Sequence, residues 1–346
     1  MPEYHPPLGN RDRLRLDFNE NTLACSPAVL AAIQNLSAAD FTRYPEREPV
    51  EALAARHLNL ESSQIILTNG VDEAIHVLCQ AFLDTGDELL LPVPTYTMYE
   101  IYASATEASI VHVQAEKDFS FPYEALLAAI TPRTKLIAIA NPNSPTGSIA
   151  TREQILAIVQ AAPNAIVLVD EAYFHFYGQT VMDLIGKLPN LIVARTFSKA
   201  YGLASLRLGL LAGPEPLLRW ARRVLSPYSV NTIALVALTA VLEDQTYLDW
   251  YVSQVKQARA EFLTSLAGIG LAYWPTEANF VLLNIGSAHK QFVAAMREQG
   301  ILVRDRSADP GCDGCVRITI GTPEQMSHAL KAVQGFLQSQ PAGVLK

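Results

Sequence analysis

Lys199 sits in the segment R-T-F-S-K-A-Y-G-L-A-S-L-R-L-G, residues 195–209, with Thr196 and Ser198 just before it and Arg207 eight positions after it. A lysine beside a fixed positive charge and small hydroxyls is a poor structural choice. It is a good one for forming an imine with a carbonyl. The hydroxyls and the guanidinium suit a phosphate, because arginine offers two parallel hydrogen bonds to such an anion. A surface lysine with Arg207 in an unrelated ion pair is the plain alternative, and it weakens as further segments join the pattern.

In V-L-V-D-E-A-Y, residues 167–173, Asp170 ends an apolar run. A carboxylate buried there needs a cationic partner. A protonated pyridine nitrogen is one, and keeping that nitrogen charged makes pyridoxal phosphate (PLP) an electron sink. An N-cap for the next helix is the ordinary alternative. Tyr173, three residues on, is placed to reach the ring's phenolate oxygen. The turn I-A-N-P-N-S-P-T-G, residues 139–147, presents Asn143 and Ser144 on a frame stiffened by two prolines and a glycine, and either can bond that ring oxygen. T-N-G-V-D-E-A-I, residues 68–75, reads as strand, glycine and helix start, where backbone N–H groups bind phosphate; acids favoured by the helix dipole are the alternative. Tyr96 in P-T-Y offers a ring to stack on a flat cofactor, or simply core packing.

These side chains need a frame. Apolar runs at 64–68, 88–91, 109–113, 136–140, 166–169, 191–194 and 208–212 read as buried strands, with amphipathic stretches such as 71–83, 152–161 and 215–224 between them. Such alternation predicts an α/β fold with a mostly parallel sheet and helices on both faces. Ligands then lie beyond the carboxyl ends of the strands, where the polar residues above fall. After residue 228 two long helical segments, 231–242 and 248–266, lead to an α+β portion with strands at 280–284, 301–304 and 315–320 and a last helix at 323–337. The expected division is an N-terminal arm, 1–40, packing with the small domain, a large cofactor-binding domain, 41–240, and a small C-terminal domain, 241–346.

Half of the 346 residues are hydrophobic, 17% are charged, and the net charge is -8. That balance argues against nucleic acid and anionic membrane surfaces as partners, and an anionic substrate would need local basic residues. The longest apolar run, 233–242, is too short for a membrane span of about 20 residues. Residues 1–10 show no signal-peptide pattern, so a soluble, cytoplasmic protein is expected. Cys312 and Cys315 form C-D-G-C, but no second ligand pair exists, so a glycine-containing turn and no metal are expected. His76 and His175 read as structural.

Together these segments resemble class II aminotransferases of PLP fold type I, over roughly residues 15–338. T-F-S-K-A-Y-G-L-A-S fits the family's attachment pattern, and the arginine eight residues later, D-E-A-Y and N-P-x-x-P-T-G fall in the family's order. Within it the motifs are most similar to histidinol-phosphate aminotransferases, through L-D-F-N-E-N, R-Y-P-E, G-V-D-E-A-I, P-T-Y-x-M-Y, L-V-R-D and C-V-R-I-T-I-G. The resemblance implies that Lys199 is the Schiff-base lysine, that Asp170 pairs with the ring nitrogen, and that Tyr173 bonds the ring oxygen while Tyr96 stacks on the ring. It implies that the N–H groups of Val71 and Asp72 hold the phosphate with Thr196, Ser198 and Arg207. Tyr44 would reach the partner's phosphate in a homodimer. Arg317 would bind the carboxylate of glutamate or 2-oxoglutarate, and Arg304 with Arg317 the phosphate of histidinol phosphate, with Asn21 also at the substrate. The implied reaction converts histidinol phosphate and 2-oxoglutarate to imidazole acetol phosphate and glutamate, in histidine biosynthesis. Two departures stand out: Ser144 where the family commonly has Asn, and N-E-N-T-L-A-C-S-P where it has N-E-N-P-Y-G-P. The second bears on the amino donor. An aromatic or other amino-acid donor, and a decarboxylase like those acting on threonine phosphate, are the enzymatic rivals. A non-enzymatic effector domain would sit behind a basic DNA-binding module, and none is visible in the sequence.

Overall fold

A computed structural model describes residues 13–340; residues 1–12 and 341–346, and with them the expectation about residues 1–10, lie outside the described residues. The short strand β1 (Leu14–Arg15) comes first. Seven strands then build the main sheet: β2 (Ile65–Thr68), β3 (Glu88–Val93), β4 (Ser109–Gln114), β5 (Thr134–Ala140), β6 (Ile166–Asp170), β7 (Leu191–Thr196) and β8 (Gly209–Ala212). Their spatial order is β2-β8-β7-β6-β5-β3-β4. Every pairing is parallel except the two made by β8, which runs against both β2 and β7. The predicted mostly parallel α/β sheet is what forms.

Alternation along the strands supplies both faces of the core. Leu168 and Ile192 face a cluster with Val71, Ile75 and Leu78 of the helix Gly70–Phe82. Val167, Val169 and Val193 face the opposite cluster, with Ile155 and Ile158 of the helix Arg152–Ala161. With helices covering both faces, apolar residues at successive positions are all buried, so β6, β7 and β8 carry no solvent-facing side.

Four further strands, β9 (Tyr273–Trp274), β10 (Phe280–Asn284), β12 (Arg304–Asp305) and β13 (Cys315–Thr319), make an antiparallel sheet in the order β12-β13-β10-β9, while β11 (Ile301–Leu302) pairs with β1. The single strand expected at 301–304 is therefore two. Its first half accepts the N-terminal arm, with Leu14 and Leu16 donating to Gly300 and Leu302. After Val303 the chain changes partner and pairs with β13. The arm is also split: β1 joins the C-terminal part, but the helix Pro27–Gln34 packs on the helix Thr232–Glu243 of the large one. The C-D-G-C segment is a turn in which the Cys315 N–H donates to the Cys312 carbonyl, and both thiols are buried and unpaired. Among the described residues no cluster of His, Cys, Asp and Glu could hold a metal, and no helix is long and apolar enough to cross a membrane.

Candidate active site

The carboxyl ends of β5, β6 and β7 lie close together: Ala140 pairs with Asp170 and Asp170 with Ala194, two residues before β7 ends. They deliver the 141–147 turn, the Asp170–Tyr173 segment and the Thr196–Lys199 segment to one cavity of about 380 Å³. The amino end of the helix Gly70–Phe82 and Arg207, just before β8, close its far side.

That far end is a cradle for an anion. Gly70 has φ +79°, and a Cβ there would fall 2.6 Å from Nη2 of Arg207. A Cβ on Gly209 would fall 2.7 Å from the Val71 nitrogen. Two glycines thus let the helix start and the Arg207 turn close on each other. Arg207, itself left-handed at φ 52°, donates from Nη2 to Asp72 Oδ2 at 2.7 Å, and the Tyr96 hydroxyl donates to Asp72 Oδ1 at 2.7 Å. Thr196 and Ser198 border the same space, the Ser198 N–H donating to Thr196 Oγ1 at 3.1 Å. Guanidinium, hydroxyls and helix N–H groups are the donor set a phosphate needs. Gly70→Ala is therefore expected to weaken PLP binding at least about tenfold in a fluorescence titration, through displacement of Arg207 and loss of a charge-assisted bond. An unchanged Kd would show that the phosphate lies elsewhere.

The opposite wall holds a buried carboxylate with no cationic side chain beside it. Asp170 Oδ2 accepts from the Tyr99 hydroxyl at 2.6 Å, and Oδ1 accepts from the Ala172 N–H at 3.0 Å. Burial pushes the Asp170 pKa up to about 6, against the Tyr99 bond, which lowers it. The site asks for a positive charge, and a pyridinium would supply it. Tyr99 is fully buried and was not singled out from sequence; in a helix start, an inward tyrosine reads as ordinary core.

Around the lysine, the arm does what sequence did not show. Lys199 Nζ donates to the Phe18 carbonyl at 3.0 Å. Asn19, turned inward by φ 54°, donates from Nδ2 to the Tyr173 hydroxyl at 2.9 Å, while its backbone N–H donates to Thr319 Oγ1 at 3.0 Å. Asn21 is not in the cavity. Its amide donates to the Ala200 carbonyl at 3.2 Å, and its oxygen accepts from the Leu23 N–H at 2.9 Å, so it braces the arm on the lysine loop. Asn143 is also elsewhere: its amide donates to Pro94 O and Thr146 Oγ1, and its oxygen accepts from Thr95, fastening the turn from behind. Of that pair only Ser144 faces the cavity, accepting from Arg317 Nη1 at 3.0 Å.

A smaller lobe of about 130 Å³ shares Phe18, Tyr96, Ser144, Tyr173 and Lys199 with the first and adds Arg304, Arg306 and Arg317. Register places Arg304 directly opposite Arg317. Arg317 is buried, donates from Nη2 to the Asp17 carbonyl at 2.7 Å, and leaves Nε without a partner. Burial and the neighbouring Arg306 and Arg304 push its pKa down to about 10, so it stays cationic at neutral pH. Tyr44 lies outside both lobes, exposed and stacked on exposed Tyr228 with ring centroids 4.3 Å apart. A larger cavity of about 570 Å³ lies behind the lysine loop, lined by His57, His175 and Arg195, and touches the site only at Thr196. Burial pushes the His175 pKa down to about 3, so that imidazole is neutral.

Known proteins are similar to this chain in sequence and fold. The aminotransferase class I and II family matches residues 11–333. The chain is 34% identical over 330 residues to the histidinol-phosphate aminotransferase of Thermoanaerobacter pseudethanolicus, covering 94% of this chain and 93% of that one. It is 36% identical over 325 residues to that of Methanocella arvoryzae, covering 92% and 88%. The solved histidinol-phosphate aminotransferase of Sinorhizobium meliloti, in complex with pyridoxal-5'-phosphate, superposes with a TM-score of 0.88 at 25% identity, covering 97% of this chain and 96% of that one. With its motifs in order, its strand ends close together and its family matched almost end to end, this chain belongs to the class I and II aminotransferases.

Proposed function

We propose that this chain is a PLP-dependent aminotransferase that takes histidinol phosphate as amino donor and 2-oxoglutarate as acceptor. One observation carries the reading: a lysine amine, a buried carboxylate lacking a cation and an arginine pair border one continuous space. Bound PLP would supply an electron sink for the charge left when a proton leaves the substrate carbon. Lys199 moves that proton between the substrate carbon and the cofactor carbon, as general base and then general acid. Asp170 holds a proton on the ring nitrogen, with Tyr99 and the Ala172 N–H fixing its two oxygens. Tyr173, Ser144 and Tyr96 line the same cavity, where Tyr173 and Ser144 would serve the ring oxygen and Tyr96 would cover the ring. Val71, Asp72, Thr196, Ser198 and Arg207 hold the cofactor phosphate. Arg304 and Arg317 take the substrate's anion, which the overall charge of -8 would otherwise repel.

The same proposal includes a homodimer in the cytoplasm. Exposed Tyr44 and Tyr228, stacked on each other, offer an aromatic surface suited to a second copy, through which Tyr44 would reach the partner's phosphate. The test is the visible spectrum of the PLP-loaded protein during successive additions. Histidinol phosphate should abolish the cofactor's imine absorption, and 2-oxoglutarate should restore it, with parallel double-reciprocal lines in steady state. A response to phenylalanine alone would move the donor to the aromatic class, and release of carbon dioxide without need of 2-oxoglutarate would make the protein a decarboxylase.

A further inference from the structure

The C-terminal sheet places a third arginine beside the expected pair. The N–H of Arg306 donates to the Cys315 carbonyl at 2.9 Å, which continues the β12–β13 ladder one step past Asp305. Residues two apart on a strand share a face, so Arg306 joins Arg304 on the side that looks toward Lys199. Both line the 130 Å³ lobe with Arg317. Three guanidinium groups in so small a space repel one another, and the fold answers them only in part. Arg306 is paired with Asp309, three residues on. Asp17 lines the lobe as well; it lies 3.9 Å from Nε of Arg15, whose Nη2 is 3.2 Å from Glu20. Arg304, Arg306 and Arg317 against Asp17 and Asp309 leave one positive charge in excess at the lobe. Among the described residues the buried Nε atoms of Arg306 and Arg317 have no hydrogen-bond partner, and neither has Asp17 Oδ1. Three guanidinium groups with positive charge in excess suit the several oxygens of a phosphate monoester better than a single carboxylate.

Resting on the reading of this chain as an aminotransferase of a phosphorylated donor, we infer that Arg306 is a specificity-determining residue that reads the second negative charge of a phosphate monoester. Asp309 holds it in place. An acceptor with one distal carboxylate is served by Arg304 and Arg317, so the two half-reactions differ in their need for Arg306.

The test uses the PLP-loaded full chain and its Arg306→Gln variant, with each half-reaction followed as a single turnover. Loss of one charged hydrogen bond, about 1.5–3 kcal/mol, corresponds to a roughly 10- to 100-fold fall in kcat/KM for histidinol phosphate. The value for 2-oxoglutarate should fall less than about threefold. In the unaltered protein kcat/KM for the donor should rise through about pH 6 with the second phosphate ionisation, and the variant should flatten that rise. Arg306→Lys keeps the charge without the planar fork and should lie between, which also serves if the glutamine variant does not fold. Equal losses in both half-reactions would make Arg306 a structural partner of Asp309 and overturn the inference, as would no loss in either. Inorganic phosphate separates this failure from that of the donor assignment. If the unaltered protein refuses histidinol phosphate, the donor reading falls. A tenfold weaker inhibition by phosphate in Arg306→Gln would still uphold the anion site, and equal inhibition would overturn it.

Discussion

Lys199→Ala is expected to lose at least about 10⁴-fold in transamination while still binding PLP. Two roles vanish together: the amine that joins the cofactor covalently and the base that carries the proton between the two carbons. General acid–base catalysis alone contributes about 10²–10⁴-fold, and no other amine lines the cavity to replace it. The phosphate cradle lies at the far wall, around Gly70 and Arg207, and should keep its hold. Reconstitution would then give the absorption of a free aldehyde rather than an imine, and an added small primary amine should restore part of the rate. Full activity in this variant would refute the assignment of Lys199.

Asp170→Asn should separate stability from activity, in opposite directions. In the cofactor-free protein, burial raises the Asp170 pKa from 3.8 to about 6. The folded state therefore binds this proton more tightly than the unfolded chain. Its stabilising contribution is complete below about pH 4 and is lost as pH rises through 6. Above that window the ionised carboxylate costs roughly 3 kcal/mol, about two pKa units at 1.36 kcal/mol each. Asparagine has no such cost, and it can accept from Ala172 and donate to Tyr99. The cofactor-free variant should equal the unaltered protein at pH 4 and be more stable at pH 8, with the gap opening between. A loaded ring nitrogen supplies the missing cation, so PLP should stabilise the unaltered protein more than the variant. Loss of the fixed charge should cut turnover about 10²- to 10³-fold. Urea melts at both pH values, with and without PLP, provide the check. A cofactor-free Asp170→Asn that is the weaker protein at pH 8 would show that Asp170 is already paired.

Much of the frame was legible because its causes are local. The helix Arg152–Ala161 begins where Thr151 and Gln154 cap each other, and the helix Glu215–Val224 begins at a proline and ends on two arginines; both match their predicted spans. The strand Phe280–Asn284 matches as well, being an apolar run of the right length. That Lys199 and Asp170 border one cavity was legible for a related reason. They stand just after and at the ends of buried strands that the parallel sheet brings together, whereas Arg207 enters just before the antiparallel β8.

What the sequence by itself determined was the periodicity, the caps, the order of strands along the chain and which polar groups are candidates for chemistry. Only the tertiary structure decided which atoms face the cavity. Asn143 and Ser144 are neighbours with equal claims on paper, yet Pro94 and Thr146 take both amide hydrogens of Asn143 and Thr95 donates to its oxygen. Asn19 rather than Asn21 meets Tyr173, across 154 residues, and Tyr99 meets Asp170 across 71. Arg306 joins Arg304 and Arg317 because a ladder continues one residue beyond its strand. The reason is physical: backbone pattern follows from near neighbours, whereas a polar side chain points to whichever partner the packed fold leaves unsatisfied, and that partner is set by distant parts of the chain.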